Sequence, residues 1–348
     1  MSIAAPIRGT AASTMALDLV PIWTVILAVS VFMYVLLDGF DLGVGILFPF
    51  APDSAARDVM MASVAPVWDG NETWLVMGGI GMFAAFPVAF AIIFPALYFP
   101  VLAMLLGLVF RGVAFEFRPS ARASRGHWDR AFFVGSLVAT VAQGCVLGKF
   151  VLGFEVSGHQ FAGSAFDWIH PFVLAVGVGL VFGYALLGST WLVLKTEGRL
   201  HDWARSKARI ALFGVIAFIL MVSVWTPLLH ERIAERWFSW PNIVWLAPVP
   251  VVTAGLAFWL WRSLNRHNDV APFIAAMGLF FMCYSGLAVS LFPYIVPHTI
   301  TLWEAAGAPQ AQAFLLIGTL FLIPIIFTYT GWSYWVFRGK VRGDAGYH

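Results

Sequence analysis

Apolar residues in this chain of 348 fall into runs of membrane length, separated by breaks too short to fold as domains of their own. Nine runs can be read, at about 20–48, 74–93, 96–116, 131–153, 168–194, 210–229, 242–261, 271–296 and 311–337. A helix needs about 20 such residues to cross a hydrocarbon core. Inside that core the backbone must satisfy its own hydrogen bonds, so a helix is the natural form of each run. The expected fold is all-α: one polytopic membrane domain over residues 1–348 with about nine transmembrane helices. Composition agrees, with 61% hydrophobic and 11% charged residues, against about 25% charged in soluble domains. The stretch from Thr73 to Phe110 is too long for one crossing. A break is expected at Phe94-Pro95, with Pro87 and Pro100 nearby, because proline ends or kinks helices.

Lysine and arginine in the loops set the orientation. With nine spans, one side receives Arg57, Arg118, Arg122, Arg125, Arg130, Lys195, Arg199, Arg205, Lys207, Arg209, Arg262, Arg266, Arg338, Lys340 and Arg342. The other receives Arg8, Arg232 and Arg236. The expected topology is therefore N-terminus outside and C-terminus inside. Met1–Ala16 lacks the charged-then-apolar pattern of a cleaved signal peptide, so the first run reads as an uncleaved span, with Met15 an alternative start. Cys145 and Cys283 lie in apolar runs without metal-binding spacing and read as small core residues. The 16 Trp and 32 Phe suit interfacial belts. Lys149 and Glu155 could pair locally near the outer side. No Walker A loop, strand-linked GxGxxG, HExxH, GxSxG or CxxCH occurs, and no nucleic-acid partner is expected.

Two acidic motifs interrupt this pattern: Asp38-Gly39-Phe40-Asp41 and Trp68-Asp69-Gly70-Asn71-Glu72-Thr73. A charged group at membrane depth costs roughly 2.5–3.5 kcal/mol on insertion scales. Asp38 and Asp41 are three apart and share a helix face, as do Asp69 and Glu72. The topology puts both pairs, with Arg111 and Glu116, at the inner membrane level. Two readings stand. Arg111 could pair with one or two carboxylates while the rest face water at the headgroups. Alternatively, Asp38, Asp41, Asp69 and Glu72, with Asn71 and Thr73, could form a hydrogen-bonded line for protons. Among the histidines only His170 and His298 lie near membrane depth, both at the outer level. An axial pair for haem would have to come from them.

The motifs Asp38-Gly-Phe-Asp-Leu-Gly-Val-Gly45, Ala65-Pro-Val-Trp-Asp-Gly-Asn-Glu-Thr-Trp-Leu75 and Phe110-Arg111-Gly-Val-Ala-Phe-Glu-Phe-Arg118 resemble subunit II of the cytochrome bd oxidases. The resemblance implies a subunit of a bacterial respiratory quinol:oxygen oxidoreductase in the cytoplasmic (inner) membrane. The haem b and haem d groups and the quinol site would belong to subunit I, the principal partner, and none to this chain's own ligands. A small single-helix accessory subunit, and a structural quinone or lipid within subunit II, occur in the family pattern. Carried over by motif, Asp69 resembles the carboxylate of a cytoplasmic proton path. Asp41 and Arg111 match positions lining the same region, and Trp68 matches the aromatic beside that carboxylate. The family often has Gln where this chain has Glu72, an extra acid that could join the relay or form a salt bridge. The cyanide-insensitive subgroup shares the pattern. Two rivals stand beside it: a proton- or cation-coupled secondary transporter built on the same carboxylates, and an independent membrane cytochrome using His170 and His298.

Overall fold

The computed structural model describes residues 18–341 apart from Arg122 and His267. The N-terminal leader with Arg8, and also Arg342 and His348, lie outside the described residues.

The elements run α1 (Val20–Leu47, extended by a 3-10 turn at Phe48–Phe50), α2 (Ser54–Val64), α3 (Trp68–Ala85), α4 (Pro87–Ala96), α5 (Tyr98–Ser120) and α6 (Arg125–Leu152). A hairpin of β1 (Val156–Ser157) and β2 (Gln160–Phe161) leads to α7 (Pro171–Lys195), α8 (Gly198–Leu229), α9 (Glu231–Phe238), α10 (Asn242–Leu246), α11 (Pro248–Asn265) and α12 (Ala271–Leu291). A second hairpin, β3 (Tyr294–Val296) and β4 (Ile300–Thr301), precedes α13 (Leu302–Ala305) and α14 (Pro309–Val336). Eight helical segments among the described residues are long and apolar enough to cross a membrane. Helix α3 is not among them, because its first two turns carry Asp69, Asn71, Glu72 and Thr73.

The local sequence explains the boundaries. Proline opens α7, α11 and α14, where its missing N–H costs nothing and its fixed φ suits the first turn. Asp53 caps α2 by accepting the Ala56 amide at 2.8 Å. Thr301 and Glu304 form a reciprocal capping box on α13. The break expected at Phe94-Pro95 falls two residues later, at Leu97, and another precedes it. The chain leaves helical geometry at Phe86 (φ −132°, ψ 61°) before Pro87, since the residue preceding proline is driven out of the α region. Pro95 instead sits inside α4, and a second turn follows at Leu97. Helix α4 packs against β2, β3 and α13, so it belongs to the end of the molecule that carries the hairpins.

Helix α1 is the centre of the bundle, packed by α3, α6, α7 and α12. Its residues from Leu36 to Leu47 are all buried. Glycine makes the closest crossing. A Cβ on Gly43 would lie 1.8 Å from the Tyr184 carbonyl oxygen, and one on Gly188 would lie 2.4 Å from the Gly43 carbonyl carbon. The α5–α6 crossing is built the same way at Gly107 and Gly135. Small residues let backbones meet where lipid offers no hydrophobic drive for association.

The other end is polar. Arg118 reaches Asp129 at 2.5 Å and Asp58 at 2.8 Å, and Arg125 joins Asp58. Asp269 collects Lys340 (2.5 Å), Arg205 (3.1 Å) and His201 (2.9 Å). These bonds are the physical form of the loop charges counted above. Two expectations change. Cys283 is exposed on α12 while Cys145 is buried, because the outward face of a membrane helix need not be polar. Lys149 makes no ion pair with Glu155 among the described residues; its ammonium lies 5.7 Å over the Phe154 ring.

A buried carboxylate–guanidinium cluster at the polar end

The last turns of α1, the first turns of α3, the second half of α5 and the end of α14 converge on one buried polar cluster. Arg111 is its cation. Its Nη2 donates to Asp38 Oδ1 at 2.6 Å and forms a second ion pair with Glu72. Its guanidinium also lies 5.4 Å from the centroid of Trp68, which stacks on Phe115 at 5.0 Å. Guanidinium over an indole face is a favourable cation–π placement. Asp41, one turn beyond Asp38, accepts from Asn71 Nδ2 at 2.7 Å. The same amide reaches the Leu37 carbonyl at 3.3 Å, and the Tyr334 hydroxyl donates to Asn71 Oδ1 at 2.9 Å. That bond fixes the amide, so its NH2 faces Asp41.

Asp38, Asp41, Asn71 and Arg111 are buried, and Glu72 is half-buried. One guanidinium cannot balance three carboxyl groups, and uncompensated buried charge is costly. The cluster therefore gathers more carboxyl groups than its one cation can neutralise. Asp38 Oδ2, Asp41 Oδ1, and Arg111 Nε and Nη1 have no partner among the described residues, a rare condition for buried polar atoms.

Of the residues singled out in the sequence, Asp38, Asp41, Glu72, Arg111, Trp68 and Asn71 come together. Asp69 and Glu116 do not: both are exposed, and Thr73 turns outward to its own backbone at Asp69. Glu72 is the salt-bridge partner that the sequence left as one of two options. One participant was missed, Tyr334, and so was a hydrogen-bonded trio beside the cluster: Tyr34, one turn before Asp38 on the same face, Gln143 and Tyr184. Tyr184 donates to Gln143 Oε1 at 2.6 Å, and Gln143 Nε2 donates to Tyr34 at 2.7 Å. Each is a lone polar group inside an apolar run, which was the available signal.

The histidines are engaged elsewhere. His170 caps α7 by accepting the Phe172 amide at 3.2 Å. His298 stacks on His230 with centroids 4.0 Å apart and approaches the Val151 carbonyl at 3.3 Å. The two rings that would have to act together are committed to different partners. No group of three or more His, Cys, Asp or Glu among the described residues could hold a metal ion. These residues do not fit a haem site, and the chemistry assigned to the chain below passes through none.

Comparison with known proteins bears on the cluster's setting. Residues 19–337 match the family model described as cytochrome bd terminal oxidase subunit II. The chain is similar to cytochrome bd-I ubiquinol oxidase subunit 2 of Escherichia coli (strain K12), with 28% identity over 93% of this chain and 95% of the relative. It is also similar to cytochrome bd ubiquinol oxidase subunit 2 of Bacillus subtilis (strain 168), at 27% identity over 92% and 96%. The fold resembles a chain of the bd oxidase from Geobacillus thermodenitrificans, with TM-score 0.66 and 19% identity over 89% of this chain and 99% of that one. The similarity runs the length of the chain, which leaves the transporter reading without support.

Proposed function

The chain belongs to the cytochrome bd terminal oxidase subunit II family, and from that premise we propose how its buried cluster serves the oxidase. It is a multi-pass bacterial membrane protein and a subunit of a quinol oxidase complex. In this reading nine helices cross the cytoplasmic (inner) membrane. Helix α3 is the ninth: its 18 residues span about 27 Å at 1.5 Å per residue. The polar end faces the cytoplasm, as the loop charges favour, with the N-terminus outside. The haem-bearing subunit I, carrying the haem b and haem d groups and oxidising quinol such as ubiquinol, is the partner that this chain supports. A small accessory subunit and a bound quinone or lipid would complete the assembly.

The observation that carries the reading is a set of buried carboxyl groups gathered round one guanidinium, with oxygen atoms left unpartnered, at the end that this reading turns to the cytoplasm. Oxygen reduction to water consumes protons, and haem supplies the redox chemistry on the other subunit. This chain's residues would collect and hold the protons. Asp69, exposed at the first turn of α3, is placed to collect them. Glu72 is the half-buried next station, and Asp38 and Asp41 are the buried ones. Arg111 keeps the carboxyl groups gathered, Trp68 covers its face, and Asn71 orients Asp41. Glu116 belongs to the surrounding surface.

The test uses the purified complex carrying Asp69→Asn or Asp41→Asn. Haem content and subunit stoichiometry should stay near normal while quinol-driven oxygen consumption slows, most at high pH where protons are scarce. Full assembly with unchanged turnover in both variants would remove the cluster from the path.

A further inference from the structure

Between α3 and α14, beside the cluster, lies a cavity of about 10 Å³ lined by Val67, Gly70, Asn71, Tyr329, Thr330, Ser333 and Tyr334. That is about the smallest space that accepts a water molecule, and a buried water needs two to four polar partners. The Thr330 hydroxyl can donate and accept there, and the Tyr334 hydroxyl oxygen, whose hydrogen goes to Asn71, can still accept. Thr330 is 8% exposed, and its hydroxyl has no hydrogen-bond partner among the described residues. Ser333, by contrast, is directed to the Pro66 carbonyl at 3.5 Å. Asn71 forms the wall between this cavity and Asp41, and Tyr334 holds Asn71 in place. An amide cannot easily take up and hand on a proton. Asn71 therefore separates cavity from carboxyl rather than linking them.

We propose that the α3–α14 seam is a gated proton entrance to Asp41. Thr330 holds a water in the cavity, and Asn71, latched by the Tyr334 hydroxyl, is the shutter between that water and the Asp41 carboxyl. When the latch opens, Asn71 swings aside. A proton then passes from the hydrated cavity to Asp41 Oδ1, where an O–H bond forms as one breaks on the water, which is reprotonated from the cytoplasmic side. The proposal rests on the cluster being a proton path. It adds a second entrance besides the one at Asp69 and names its gate.

The experiment follows proton uptake by the fully reduced oxidase complex on mixing with oxygen, read with a pH-indicator dye. Haem spectra serve as the check on assembly. Asp41→Asn is the reference for a blocked path. Thr330→Val should slow uptake about 3- to 10-fold, and Thr330→Ser, which keeps the hydroxyl, should restore it. Tyr334→Phe should speed uptake about 2- to 10-fold, the factor expected for losing one net hydrogen bond that holds a gate shut. Uptake at the wild-type rate in Thr330→Val, or slow uptake in Thr330→Ser as well, would mean the cavity carries no conducting water. Tyr334→Phe with unchanged or slower uptake would mean the Tyr334 bond is structural only. Either result overturns the gate while Asp41→Asn still slows uptake. If Asp41→Asn itself is silent, the underlying path fails instead.

Discussion

Replacing Arg111 by methionine separates two kinds of buried charge. Methionine fills much of the same space but leaves Asp38 with no cation. Asp38 is fully buried beside Arg111, and removing one partner of such a pair costs about 3–5 kcal/mol. The second pair counts for less. The Glu72 side chain is 28% exposed, so solvent screens it and its share falls to about 0–1 kcal/mol. Arg111→Met alone should therefore destabilise the subunit by about 3–5 kcal/mol, enough to deplete assembled oxidase. Asp38→Asn alone should cost less, since Arg111 keeps Glu72 and Asn can still accept from Nη2 at the 2.6 Å site. In the double variant the uncompensated carboxylate is gone, and most of the loss should be recovered, a coupling of about 2–3 kcal/mol. The assay is a double-mutant cycle on the midpoint of thermal aggregation of the detergent-solubilised complex, with haem content measured in parallel. Additive losses in the double variant would refute the reasoning, because they would mean that Asp38 never relied on Arg111.

Further outcomes follow from other parts of the bundle. Gly43→Ala should force α1 and α7 apart, because the new methyl meets the Tyr184 carbonyl oxygen at 1.8 Å. Overpacking costs about 1–3 kcal/mol, so a lowered thermal midpoint is expected, whereas Gly79→Ala, with nothing within 4 Å, should be neutral. At the hairpin end, burial and then the neighbouring His298 hold His230 below its usual 6.5. Burial, opposed by the Val151 carbonyl and helped by Arg232, does the same to His298. A depressed histidine contributes stability that is complete above about pH 6.5 and is lost as pH falls through the folded value. Protection against hydrogen exchange at β3, β4 and α9, after correction for the pH dependence of the intrinsic rate, should therefore fall below pH 6.5. His298→Asn should flatten that dependence, and an equal fall with and without His298 would show that the stack is not responsible.

The all-α membrane fold and its charge-rich loops were legible because hydrophobic length and loop charge are one-dimensional signals. Rotation about a helix axis is a different matter. Asp38 and Asp41 share a face at three residues' spacing, and both are in the cluster. Glu116 follows Arg111 by five residues, about 140° around a helix with 3.6 residues per turn, so it shares Arg111's membrane level but faces outward. Asp69 precedes Asn71 by two residues, about 200° around, and stands outside for the same reason. Tyr34, Gln143, Tyr184 and Tyr334 were hidden because their importance depends on which helices meet, and that is set by glycine crossings such as Gly43–Gly188. The break near Pro95 was legible from its proline and falls at Leu97. The additional one at Phe86, before Pro87, depends on α4 docking on β2, β3 and α13.

The spacing of Asp38 and Asp41 also fixes an electrical distance. Three residues of α1 amount to about 4.5 Å along the helix, roughly 15% of a 30 Å hydrocarbon core. Moving one charge across a whole membrane is worth about 2.3 kcal/mol per 100 mV, so a proton passing between these two carboxyl groups works against only about 0.3 kcal/mol per 100 mV. That hop should be nearly blind to the membrane potential. In proteoliposomes held at a set potential, a charge step confined to these residues would change the oxidase rate by less than twofold per 100 mV, and any steeper voltage dependence must arise elsewhere in the complex.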